Sequence, residues 1–208
     1  MLKSAGLHER RGRMEKWTRW FLGAAIVLAM FAQGCTYNVA FSKPDTVAYN
    51  EKIPIDVAFA MSVKAKSLTY EGRAMSSGIA NTWVVPVGDT THQYAVAYLS
   101  SAFRSFTEID PEGPVSPEKF LLRLDDLVYR MEGQAAHTTI STVVVSPGGK
   151  EVLKKSYSED GPSGYGRVLM GGAFGQKSAI RQSTHVVLEN TFKRLIEDIR
   201  IGYAEWLK

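Results

Sequence analysis

The stretch FLLRLDDLVYRMEGQAAHTTISTVVVSPGGKEVLKKSY, from Phe120 to Tyr157, decides the fold class. Phe120, Leu122 and Leu124 alternate with polar neighbours, the period of a half-buried strand. Leu127, Tyr129 and Met131 carry the opposite phase. One residue of slip sends every side chain to the other face, so Asp125-Asp126 predicts a β-bulge or a break. Ala136 to Ser146 is rich in Thr, Ile and Val and reads as a second strand. Pro147-Gly148-Gly149 is a turn, and Val152 to Tyr157 returns as the antiparallel partner. Three strands in a meander need at least one covered face.

The covering elements are two amphipathic stretches. Ala95, Val96, Leu99, Ala102, Phe103 and Phe106 fall at helical spacing and predict a helix over about 90–106, with Asp89 as its N-cap. Ile180, Thr184, Val187, Leu188, Thr191, Leu195 and Ile199 mark the buried stripe of a longer C-terminal helix, expected to start near Ser178. Between meander and helix, residues 161–175 hold six glycines and read as a long flexible loop. Upstream, Ile53 to Met61 alternates as a strand, with Pro54 arguing for an edge or the start of a strand. Further extended pieces are expected at 67–70 and 82–87, the last at an edge because of Pro86. The expectation is therefore an α+β domain: a mostly antiparallel sheet with two helices on one face and a long C-terminal helix. Its other face must be solvated or meet a partner.

The N-terminal end carries a different signal. Basic residues from Arg10 to Arg19 precede an apolar run of 13 residues, Trp20 to Ala32, closed by Gly34-Cys35. A spanning helix needs about 20 apolar residues, so this length suits the core of a secretory signal better than a membrane anchor. Met14 opens a compact version of the same leader and is the expected start of translation. Cys35 is the chain's only cysteine, so no intrachain disulfide can form. The net charge of +4 lies wholly in the leader: six bases and two acids precede Cys35, leaving 19 of each. Such balance gives no argument for nucleic acid as a partner. The predicted organisation is a signal peptide over 1–34, a tether over 35–51 and one domain over 52–208.

Motifs for chemistry are sparse. Gly171 to Ser178 approaches a P-loop, but Gln176 stands where a glycine must let backbone approach phosphate, so no nucleotide is expected. His92, His137 and His185 lack metal-ligand spacing, and neither metal nor cofactor is expected. Adjacent Asp125 and Asp126 would point to opposite faces of a strand and could not share a substrate. Ser77, Ser101 and Ser163 lie in no nucleophile elbow. An enzyme is not the expectation. Trp83, Tyr203 and Trp206 are the candidate contact residues, since exposed aromatics mark interfaces.

Leader and Cys35 together resemble the lipobox of bacterial lipoproteins, with Ala32 and Gln33 where that class favours Leu and a small residue. With the order of elements, they resemble a group of small envelope lipoproteins: the YajG-type proteins, the auxiliary lipoproteins of lipid-transporting ABC systems and the lipopolysaccharide-assembly lipoprotein. The resemblance implies diacylglycerol on Cys35, now residue 1 of a mature protein anchored in the membrane by lipid. It also implies a periplasmic α+β domain. With no Asp at residue 36, it implies an outer-membrane address facing the periplasm. A non-enzymatic accessory protein that binds an envelope protein partner is the first expectation, and a lipid- or glycan-handling subunit of an envelope transport or assembly system the second.

Cys35→Ser is expected to release a soluble protein or to leave an unprocessed precursor. Membrane fractionation with immunoblotting tests this: full membrane retention at mature size in the variant would exclude lipid anchoring.

Overall fold

The computed structural model describes residues 36–45, 47–72 and 82–208. Cys35 and the leader lie outside them. The described chain runs β1 (Thr36–Asn38), β2 (Ile53–Met61), α1 (Val63–Lys66), β3 (Tyr70–Gly72), β4 (Thr82–Val85), α2 (Val87–Ala102), β5 (Phe103–Glu108), β6 (Phe120–Glu132), β7 (Ala135–Val145), β8 (Glu151–Asp160) and α3 (Tyr165–Trp206). The class is α+β with a long C-terminal helix.

The main sheet has the order β5-β2-β6-β7-β8. Strands β6, β7 and β8 form the antiparallel meander. Its register shifts between Leu124 and Asp126, which is the bulge that the two aspartates announce. Strand β2 runs parallel to both β5 and β6, so the sheet is mixed. Parallel neighbours need a long crossover, and residues 62–102 supply it with α1, strands β3 and β4, and α2; β1, from before β2, completes a small sheet of order β1-β4-β3.

One face of the main sheet carries the core. Ile53, Ile55, Val57, Phe59 and Met61 of β2 are buried, as are Phe120, Leu122, Leu124, Leu127 and Tyr129 of β6. Helix α2 covers them with Ala95, Leu99 and Ala102, each fully buried. Every residue of the predicted C-terminal stripe, Ile180 through Ile199, is also buried.

Five expectations need correction. Helix α2 spans 87–102 and is preceded by Pro86, with Asp89 inside its first turn and no side-chain cap. Phe103 to Glu108 is strand β5. Phe103 and Phe106 continue the helical spacing of Leu99, and only pairing with β2 decides against the helix. Pro54 meets the strand-start alternative of its reading, while Pro86 does not mark an edge strand. Pro54 lies at the start of the interior strand β2, where the register with β5 shifts and pairing with β6 has not begun, so its missing N–H breaks no ladder. Pro86 follows β4, the middle strand of the small sheet.

The glycine-rich stretch is helical from Tyr165 onward. Gly164 has φ 62° at the N-cap, and a Cβ there would lie 2.6 Å from that of Ala179. Fifteen residues of straight helix would separate the two by about 22 Å. The helix therefore folds back sharply between them, where Gly171, Gly172 and Gly175 remove the side chains that oppose a kink. Met170 is exposed in this arm.

Residues 36–51 are no free tether. Val39 is buried and its N–H donates to the carbonyl of Val84 at 2.9 Å. Phe41, Val47 and Tyr49 pack against the core, and Arg200 donates to the Glu51 carbonyl. Irregularly spaced apolar residues give no periodic signal but are buried all the same.

Leu195→Ala should lower unfolding stability by about 2–5 kcal/mol, the usual cost of a core leucine. Chemical denaturation checks it; an unchanged midpoint would place the stripe off the core.

Candidate functional site

Strands β2 and β5 are parallel, so their carboxyl ends lie at the same end of the sheet. There Ser62 starts α1, accepting from the Ala65 N–H at 3.2 Å and donating to the Asp125 carbonyl at 2.8 Å. Lys64 Nζ meets Asp126 at 2.9 Å. The bulge thus turns two adjacent aspartates into a pin for α1, the first through its carbonyl and the second through its carboxylate. Asp125's own carboxylate takes Arg123 at 3.2 Å. The two carboxylates serve different partners.

Glu108 ends β5. Its carboxylate accepts from His92 Nε2 of α2 at 2.6 Å and from Lys66 Nζ of α1 at 3.4 Å. Burial works to raise its pKa, but the hydrogen bond to His92 and the charges of His92 and Lys66 outweigh it. The carboxyl is held below its ordinary range. A cavity of about 580 Å³ opens beside it, lined by Met61, Val63, Lys66, Ile109 and Asp110. A second, of about 300 Å³, lies between Lys43-Pro44 and the His92 side of α2, with Glu108 again in its wall. Charged groups of both signs over an apolar floor suit a small ligand that itself combines polar and apolar parts.

The second feature is the helix-free face of the sheet. Both long helices take the core face, and among the described residues no element packs across the other. This face carries hydroxyl pairs across β7 and β8, Thr139 with Ser158 and Ser141 with Ser156, both at 2.9 Å. Exposed Val128 and half-buried Leu121 and Val145 add apolar area. On the same face Arg104, with Ser105, holds Asp56, whose pKa falls to about 2 through the hydrogen bonds to Arg104 and Ser105.

The candidate contact aromatics separate. Trp83 is only 1% exposed and stacks on Tyr37 at 5.0 Å between ring centroids. It belongs to the core, because its phase on the middle strand of the small sheet points inward. Its Nε1 finds no acceptor among the described residues. Tyr203 and Trp206 are half-buried at the end of α3, where the Trp206 ring lies over Gly202 and is tilted against Phe120. The structure forms no joint aromatic patch from the three.

His137 pairs with Asp160 at 2.5 Å, and His185 with the Tyr94 hydroxyl at 2.5 Å. Burial, then the charges of Glu189 and Asp45, push Tyr94 up to about 12. Among the described residues no three histidine or carboxylate groups gather as a metal site. Gly171 to Ser178 lies within α3, preceded by helix, and lacks the strand a P-loop requires. Glu108 and Lys66 stand 42 residues apart, and no spacing in the sequence links them.

No family model matches the chain, and no curated protein matches it. Among solved structures, an uncharacterised protein aligns with a TM-score of 0.40 and 12% identity, over 78% of this chain and 99% of its own. The hypothetical protein CT253 from Chlamydia trachomatis aligns with a TM-score of 0.38 and 10% identity, over 71% of this chain and 97% of its own.

Because Glu108's pKa is depressed by folding, its contribution to stability is present above the unfolded value, near pH 4.3, and is lost as pH falls through the folded one. Glu108→Gln should lower stability at neutral pH by no more than about 1 kcal/mol, the range of exposed ion pairs. The gap to the wild type should close by pH 3. Thermal melts at both pH values check this, and an equal gap at both would assign Glu108 no electrostatic role.

Proposed function

We propose that this chain is a non-enzymatic, lipid-anchored accessory protein of the bacterial cell envelope whose domain binds a protein partner. The observation that carries this reading is the helix-free face of the main sheet. A one-sided sheet normally alternates apolar and charged side chains. Here the middle of the outward side of β7 and β8 carries short hydroxyl and aliphatic groups, Thr139, Ser141, Val143, Ser156 and Ser158, which lose little rotamer freedom on contact, flanked by Lys154 and by the His137–Asp160 pair. Each hydroxyl pair makes one hydrogen bond within the sheet and keeps one hydroxyl hydrogen to offer a partner's acceptor. Between sheet and helices the space is filled by core side chains, which speaks for a contact surface over an internal lipid groove. The leader and Cys35 support the anchor and the envelope address, facing the periplasm from the outer membrane.

The second reading, a lipid- or glycan-handling subunit of an envelope transport or assembly system, draws on the 580 Å³ cavity at Glu108. Its mixed lining suits a small amphipathic ligand.

A photo-crosslinking amino acid at Ser141 or Ser156, in cells, should capture one discrete protein partner, and Ser156→Arg should abolish its co-purification from detergent-solubilised membranes. No adduct at either position, with an adduct from a probe at Asp110, would transfer the function to the cavity.

A further inference from the structure

The position of β1 sets how far the domain can stand from its anchor. Thr36 follows Cys35 directly and already pairs with Thr82; Tyr37 pairs with Trp83 and Asn38 with Val84. The Tyr37 ring stacks on Trp83, and the next residue, Val39, is buried and hydrogen-bonded to Val84. Four consecutive residues are thus fixed to the body of the domain. Beyond them Phe41, Val47 and Tyr49 hold the rest of the segment down. A free segment over 35–51 would let the domain wander roughly 20–25 Å from its attachment point. The docked one leaves a single peptide unit, about 3.8 Å between Cα atoms.

We propose that the β1 end of the small sheet is held against a lipid bilayer, so that a one-residue leash orients the domain on the membrane. The proposal rests on the reading of Cys35 as the lipidated residue. The described residues at that end are Thr36, Thr82 and Gly72, all uncharged, with exposed Glu71 one residue further along β3. Hydroxyl side chains suit the headgroup layer, and none of these residues is basic, so anionic lipid is not required. The leash also limits the partner. It must come to the membrane surface to reach the helix-free face, because the domain cannot extend toward it.

The test uses the protein purified from detergent-solubilised membranes and reconstituted into vesicles of phosphatidylethanolamine and phosphatidylglycerol that contain a dansyl-headgroup lipid. Trp206→Phe leaves Trp83 as the only tryptophan after Cys35. Energy transfer from Trp83 to dansyl should be strong. It should fall at least about twofold when a Gly/Ser segment of about 12 residues is inserted between Cys35 and Thr36, which adds a reach of roughly 19 Å. Equal transfer with and without the insertion, or no transfer in either, would overturn the proposal. The intact mass of the purified protein reports the acyl groups on Cys35 separately. If they are absent, the lipidation reading fails by itself, and a maleimide lipid coupled to Cys35 of the same protein still tests the leash by the same transfer measurement.

Discussion

A single bulge keeps this fold one-sided. Strand β6 is 13 residues long, and an unbroken ladder would place Leu127, Tyr129 and Met131 on the face opposite Phe120, Leu122 and Leu124. The shift between Leu124 and Asp126 returns them to the core face. There Tyr129 meets Thr184 of α3 at 2.8 Å and the Tyr70 ring of the small sheet. Fully burying side chains of this size is worth about 1.5–3 kcal/mol each, so a strand without the bulge would forfeit several. The same irregularity presents the Asp125 carbonyl and the Asp126 carboxylate to α1. Core, small sheet and strand-end cluster all depend on it.

What could be read from residues alone follows from the range of each interaction. The meander, the bulge and the stripe of α3 were legible because each is written in a local period. Residues 103–108 were not. Phe103 and Phe106 satisfy a helix and a strand equally, and pairing with β2, some fifty residues upstream, selects the strand. The arm of α3 was hidden by propensity. Each glycine costs a helix about 1 kcal/mol relative to alanine, a preference against the helix that the chain nonetheless forms over 165–178. Trp83 was misread for want of its neighbours, since four residues of strand do not reveal which side is covered.

The strand-end cluster was invisible for a related reason. Glu108, His92 and Lys66 come from three elements, and only the parallel pairing of β2 with β5 sets the end of one strand beside the helix that follows the other. Backbone contact keeps those helices together: the Gly88 N–H donates to the Leu68 carbonyl at 2.8 Å, and a Cβ at Gly88 would stand 2.2 Å from the Lys66 carbonyl oxygen. Helices α1 and α2 therefore hold Lys66 and His92 at fixed separation around the carboxylate.

The fold-back of α3 has a topological meaning. Gly164 touches Ala179, and Gly161 touches Ser183, whose hydroxyl accepts from the Ala136 N–H at 2.7 Å. The chain thus leaves the domain and re-enters it at neighbouring points, with 165–178 as an excursion between them. Such an excursion behaves as a cassette: its length and sequence can change, or a longer module can take its place, while the two ends keep the same seat.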